Sequence, residues 1–258
     1  MPTINVRGSS LNYLEVGDGI HNAIFLHGNL QSGSMWNDFM LGMPDEFHCY
    51  AFDFRGFGNS SKTADGVLVD SLADDIRYAL HQIGIQRCSV LAFAEGARVA
   101  QNLAGRYPSL VYKLALMGAN SFTVDTSAAL AQANKLETID WRPDAISRIL
   151  KTALSLPRNR KVPDDLVASA ISACQPAAVA FARSVSLSDT LELLPHITAR
   201  TLIIRGGKDQ IATNFDSEVL KNRILVSETV ELPNARRLPI QTDLEAYRTA
   251  SLKMLQSM

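Results

Sequence analysis

Short apolar runs and stretches of helical period alternate along the first half of this chain. Thr3–Val6 and Leu11–Val16 read as strands around the turn Gly8-Ser9-Ser10, and Ala23–Leu26 is apolar enough for a strand buried on both faces. Phe47–Phe54 is another strand, stopped by Arg55-Gly56-Phe57-Gly58-Asn59. Val69–Ile83 places Leu72, Ile76, Leu80 and Ile83 on one helical face, with Asp70 positioned as an N-cap and Gly84 as a stop. Cys88–Phe93 and Val111–Met117 are strands on either side of a small-residue helix over Gly96–Arg106. Strand–helix alternation with short connections requires parallel strands joined by right-handed crossovers. The pattern predicts an α/β fold, a doubly wound and mostly parallel sheet that begins with an antiparallel hairpin.

From about Ser121 to Ile197 the pattern changes. Strand runs vanish, Ala, Ser and Leu dominate, and Pro143, Pro157, Pro163 and Pro176 punctuate helix-sized segments. Strand signals return at Thr201–Ile204, which runs into Gly206-Gly207, and at Ile224–Leu232, while Asp243–Met258 is amphipathic and helical. The expected organisation is a core domain built from residues 1–120 and 198–258, with a helical cap inserted over residues 121–197.

Composition narrows the function classes. A formal net charge of −1 offers no basic excess for neutralising phosphates, so no nucleic-acid partner is expected. The basic cluster Arg158, Arg160 and Lys161 reads as a solvated loop. Met1–Asn5 lacks the charged and apolar regions of a signal peptide, and no apolar run is long enough for a bilayer, so a cytoplasmic protein with no membrane partner is expected. Cys49, Cys88 and Cys174 are odd in number and widely spaced, and read as reduced thiols. No GxGxxG follows the first strands and no His/Cys cluster has metal-ligand spacing, so neither a nucleotide cofactor nor a metal is expected. The expected partner is a small-molecule substrate or ligand, and no motif sets an oligomeric state.

Ligands of open parallel sheets bind beyond the carboxyl ends of the strands. Four such places stand out: Phe25–Asn29, Val90–Gly96, Ile203–Asp209 and the loop Leu232–Pro239. The run Phe25–Trp36, the turn Asp53–Ser60, the small-residue elbow at Ala92–Gly96 and the turn Gly206–Asp209 together resemble the α/β-hydrolase superfamily. The resemblance is strongest to its capped esterase, C–C hydrolase and non-haem peroxidase-like members, and it extends over nearly the whole chain.

That superfamily carries a nucleophile in a G-x-S-x-G elbow, then an acid, then a histidine. The resemblance maps the elbow to Ala92-Phe93-Ala94-Glu95-Gly96, so the nucleophile slot is Ala94, which has no atom to attack with. The acid slot falls on Asp209. The histidine slot falls on Arg237, which stays protonated and cannot serve as a general base near neutral pH. His21, which reads as a turn residue, and His27, His48, His81 and His196 all read as structural residues, not as a displaced base. Loss of the serine or the histidine alone costs a serine protease about 10⁶-fold in kcat. A chain lacking both is expected to be a pseudo-hydrolase with a degenerate triad.

What the resemblance leaves is an oxyanion loop, His27-Gly28-Asn29-Leu30, with the backbone N–H groups of Asn29 and Glu95 as its donors. Phe93 and Trp36 are candidate pocket walls. Arg237 is expected to pair with Asp209. On one reading Glu95 is a general acid or base, Arg237 binds a carbonyl or anionic group, and the chain is a lyase, isomerase, cyclase or dehydratase. On a second, the three charges fill a vacated site and the chain is a non-catalytic ligand binder. A third is an ordinary acyl hydrolase carrying a serine-to-alanine substitution at 94, which leaves Arg237 unexplained.

Overall fold

The computed structural model describes residues 2–257. In chain order its elements are β1 (Thr3–Val6), β2 (Ser9–Val16), β3 (His21–Leu26), α1 (Asn37–Met40), β4 (Phe47–Phe52), α2 (Val69–Gln82), β5 (Cys88–Phe93), α3 (Glu95–Arg106) and β6 (Val111–Met117). Four helices follow, α4 (Thr126–Thr138), α5 (Pro143–Ala153), α6 (Asp164–Ser172) and α7 (Gln175–Leu187). The chain then returns through β7 (Arg200–Gly206), α8 (Asn214–Arg223), β8 (Ser227–Leu232), α9 (Pro239–Thr242) and α10 (Leu244–Gln256).

The strands of the described residues form one sheet in the order β1-β2-β4-β3-β5-β6-β7-β8. Pairing is antiparallel from β1 through β2 to β4 and parallel from there on. The central strands are buried on both faces; Ala23 through Leu26 and Cys88 through Phe93 are almost wholly enclosed, as continuous apolar runs under crossover helices must be. Register levels the carboxyl ends: Leu26 pairs with Ala92, Phe93 with Met117, and Met117 with Ile204. The loops that leave β3, β5, β6 and β7 therefore emerge side by side along one edge of the sheet.

The four helices between β6 and β7 cover that edge as a cap. Hydrogen bonds tie cap to core: Cys174 N–H donates to Gly56 O at 2.7 Å, and the Asn29 side chain donates to Ala178 O at 2.9 Å. Arg98 of α3 is fully buried beneath the junction and donates to Asn120 O and Oδ1, Val185 O and Ser188 O and Oγ. Desolvation pulls its guanidinium pKa down to about 10 against the attraction of Asp189, Glu95 and Asp216. With its donors so engaged it acts as a rivet, a role that nothing in the small-residue pattern of α3 announced.

Three local expectations need correction. Asp70 does not cap α2; Leu68 holds the cap position without a side-chain bond, and Asp70 lies inside the first turn, accepting from Ser71 N at 2.8 Å. His21 is the first residue of β3 and not a turn residue. The last strand begins at Ser227, because Leu225 and Val226 are exposed beyond the sheet.

Candidate active site

The turn from β5 into α3 determines the site. Ala94 sits there at φ 50 and ψ −116, a conformation that costs a residue with a Cβ roughly 1–3 kcal/mol. A sharp strand-to-helix turn lifts residue 94 above the sheet edge and aims the first turn of α3 at the loop after β3. Closeness there is strict: a Cβ on Gly96 would lie 2.2 Å from His27 O. A Cβ on Gly28 would meet Glu95 Oε2 at 2.9 Å and Ala94 Cβ at 3.3 Å, so Gly28 lies directly against the elbow.

Glu95, the next residue, is the chemical centre of the arrangement. Its Oε2 accepts the backbone N–H of Asn29 at 3.0 Å, and its Oε1 lies 3.9 Å from Arg237 Nη2. The expected free pair of backbone donors is thereby corrected: the Asn29 N–H is engaged by the chain's own carboxylate. The Glu95 side chain is 28% exposed, while Arg237 is almost enclosed.

Arg237 is not ion-paired with Asp209 as expected; among the described residues its only ion pair is the one with Glu95. Asp209 is held from its own side, Oδ1 accepting from Ile211 N at 2.8 Å, Ala212 N at 3.2 Å and Ser155 Oγ at 3.5 Å. Burial pushes the Asp209 carboxyl pKa up, opposed first by the charge of Arg237 and then by those hydrogen bonds. Asp209 Oδ2 and Arg237 Nη1 are both buried without a hydrogen-bond partner.

The remaining candidates divide cleanly. Phe93 closes β5 and its ring stands beside Gly118, where a Cβ would also touch Arg237 Cγ at 3.5 Å, so Phe93 and the Arg237 stem share one corner. Leu30 is buried in a left-handed conformation at φ 61, with its N–H donating to Asn29 Oδ1 at 2.9 Å. His27 does not line a pocket. It is fully buried, accepts Phe54 N–H on Nε2 at 3.0 Å and meets Gly28 O through Nδ1 at 2.7 Å, which fixes the proton on Nδ1. Trp36 is likewise a correction: it packs in the core against Phe25, Phe39 and Tyr247, because the short turn that carries it faces the sheet.

One participant, Ser155, gave no sequence signal. Ser155 ends a cap helix at φ 54, binds Asp209, accepts from Gln210 N at 3.1 Å and takes Arg236 Nη1 on its carbonyl at 2.7 Å. Its partners lie 54 to 81 residues away, beyond any local pattern. A cavity of about 330 Å³ opens between core and cap on Asn12, Ser32, Asp53, Asp165 and Ser169 among others, and none of its walls belongs to the Glu95 site.

The fold has known counterparts. A family model described as alpha/beta hydrolase fold matches residues 24–169. The chain is 25% identical over 240 residues to a mouse (Mus musculus) protein named serine hydrolase BPHL, covering 90% of this chain and 78% of that one. A hydrolase structure from Pseudomonas aeruginosa PA01 superposes with a TM-score of 0.90 at 20% identity, covering 99% of this chain and 98% of its own. The enol-lactonase from Burkholderia xenovorans LB400 superposes at 0.89 with 17% identity, over 99% and 100% of the two chains.

Proposed function

The chain belongs to the alpha/beta hydrolase fold family, and we propose that within it the chain is a non-hydrolytic enzyme acting on a small carbonyl or carboxylate compound beneath the cap. The relatives above bear hydrolase names, yet residue 94 carries no nucleophile and residue 237 no general base. The observation that carries the reading is Glu95: a carboxylate oriented by the Asn29 N–H, facing a buried guanidinium and still partly open. A carboxylate so placed can take a proton from, or return one to, a carbon or oxygen adjacent to a carbonyl. Arg237 then draws charge onto the carbonyl oxygen as the proton leaves. Lyase, isomerase, cyclase and dehydratase reactions share that step. The test is turnover of a panel of small carbonyl and carboxylate compounds, read by mass spectrometry. Glu95→Gln and Arg237→Ala, made separately, are expected to lower it by about 10²–10⁴-fold; unchanged turnover in both sinks the assignment.

A second reading has its own support. Glu95 already satisfies the Asn29 donor, as a side chain filling a vacated oxyanion position would. On that reading the chain binds its ligand without converting it, and the same panel raises Tm while no product forms.

A further inference from the structure

The cavity between core and cap, about 330 Å³, falls in the size range of small-molecule pockets and shares no wall with the Glu95 site. Its floor is Asp53, a buried carboxylate spent on Gly33 N at 2.7 Å, Asn59 N at 2.8 Å and Asn12 Nδ2 at 2.8 Å. A carboxylate only accepts, so the Asn12 atom turned to it is the amide nitrogen. Asn12 is itself 2% exposed, and among the described residues no donor reaches its Oδ1, which is not sealed off. One wall is a chain of hydroxyls, Ser34 Oγ to Ser32 Oγ at 2.8 Å and Ser32 Oγ to Ser169 Oγ at 2.9 Å. Three hydroxyls joined by two bonds keep one O–H proton undonated. On the cap side Asp165 of α6 is exposed, and the cation nearest to it in sequence, Lys161, pairs with Asp164. The walls thus hold two acceptors, Asn12 Oδ1 and Asp165, and one donor, the remaining serine proton. An anion brings no proton for the acceptors, and an ammonium brings no lone pair for the donor. Lys62 already bridges two further wall residues, donating to Gly58 O and Ser172 O, and its charge opposes a second cation. A hydroxyl group serves both roles. We propose that the cavity is a second ligand site, for a neutral polyhydroxy compound whose hydroxyls donate to Asn12 Oδ1 and Asp165 and accept from the serine chain. Asn12, Ser32 and Ser34 belong to the core and Asp165 and Ser169 to the cap, so an occupied cavity ties α6 to the sheet domain. The site stands independently of the reading of Glu95.

The test is a backbone-amide NMR titration of the whole chain with sorbitol, adipate and hexamethylenediamine, which share a chain length and carry hydroxyls, carboxylates or ammoniums. Sorbitol is expected to shift the amides of Gly33, Asn59 and Ser169 and to saturate, at a concentration at least about tenfold below that of any effect of the other two. General exclusion of polyols from protein surfaces acts everywhere and does not saturate, so it is told apart. Ala168→Phe, at an exposed wall position of α6, puts a ring into the cavity and is expected to abolish the shifts. Asp165→Ala removes one acceptor and is expected to raise the half-saturating concentration about tenfold. Glu95→Gln is expected to leave the titration unchanged, and a change there would place sorbitol in the Glu95 site and overturn the proposal. Shifts that do not saturate, adipate or the diamine binding as tightly as sorbitol, or titrations indifferent to both Ala168→Phe and Asp165→Ala overturn it equally. Binding here is measured without turnover, so its failure leaves the catalytic reading of Glu95 untouched.

Discussion

The Glu95 carboxylate accepts the backbone N–H of Asn29 at 3.0 Å, so a side chain of the protein sits on a donor that this fold otherwise offers to a substrate oxygen. On the proposed non-hydrolytic reading three features act together: no hydroxyl at 94, no imidazole at 237, and a carboxylate on the Asn29 N–H. These act as a unit, and restoring one does little. Ala94→Ser alone is expected to hydrolyse p-nitrophenyl acetate no faster than about twice the parent, because absence of the histidine alone costs a triad about 10⁶-fold. Ala94→Ser with Arg237→His and Glu95→Ala is expected to exceed the single variant by at least about 10²-fold. Esterase activity in the single variant would instead make this an ordinary hydrolase with a substituted nucleophile.

Ala94 holds a strained turn between β5 and α3. Glycine adopts φ 50 without a Cβ clash, though it brings more chain entropy to lose on folding. Ala94→Gly is expected to stabilise the fold by about 1 kcal/mol, a rise in Tm of roughly 2–4 °C by calorimetry. A fall in Tm would mean that the buried methyl contributes more than the backbone strain costs.

How legible all this was in the sequence follows from the range of each determinant. Cys88–Phe93 and Val111–Met117 could be read to the residue, since each is a short, mostly apolar run set between helical stretches. Ala94, Glu95 and Gly28 are neighbours because one turn and one loop abut, and the motif order already carried that. Side-chain direction was not local. Trp36 turned to the core because its aromatic partners Phe25, Phe39 and Tyr247 come from three other elements. Ser155 reaches Asp209 only because the cap folds back over the sheet, and Arg237 meets Glu95 only because the loop after β8 comes up to the end of β5.

Beneath the substrate edge, Arg55 and Asp75 form a two-pronged ion pair, Nε to Oδ2 at 2.6 Å and Nη2 to Oδ1 at 2.8 Å, with Asp75 almost wholly enclosed. Arg55 also donates to Asp65 O at 3.1 Å, so it pins the loop after β4 to α2. Asp75→Ala leaves the enclosed guanidinium without its carboxylate, and Arg7 loses the same partner. The expected loss is about 3–5 kcal/mol in chemical denaturation, well above that of an exposed pair such as Lys161–Asp164, for which a change under about 1 kcal/mol is expected. Similar losses from both substitutions would contradict this account of the loop.

His27 gives the fold an acid limit. Burial pushes its pKa down from the ordinary 6.5, outweighing the opposing pull of Asp53, the Gly28 carbonyl and Glu95. With Phe54 N–H donating to Nε2, protonation would set one donor against another. The imidazole therefore stays neutral in the folded chain while the unfolded chain takes up a proton near pH 6.5. Between those two pKa values the unfolded state binds more protons, so stability is fully present above pH 6.5 and is lost as the pH falls below it. The slope approaches about 1.4 kcal/mol per pH unit for this one group. His27→Gln keeps an acceptor for Phe54 N–H and removes the titration. It is expected to be less stable than the parent at pH 7.5, through lost packing against Phe54 and Phe57, yet to lose less between pH 6.5 and 5.5. Urea denaturation at the three pH values measures both effects, and parallel pH profiles for parent and variant would remove His27 as the source of the acid limit.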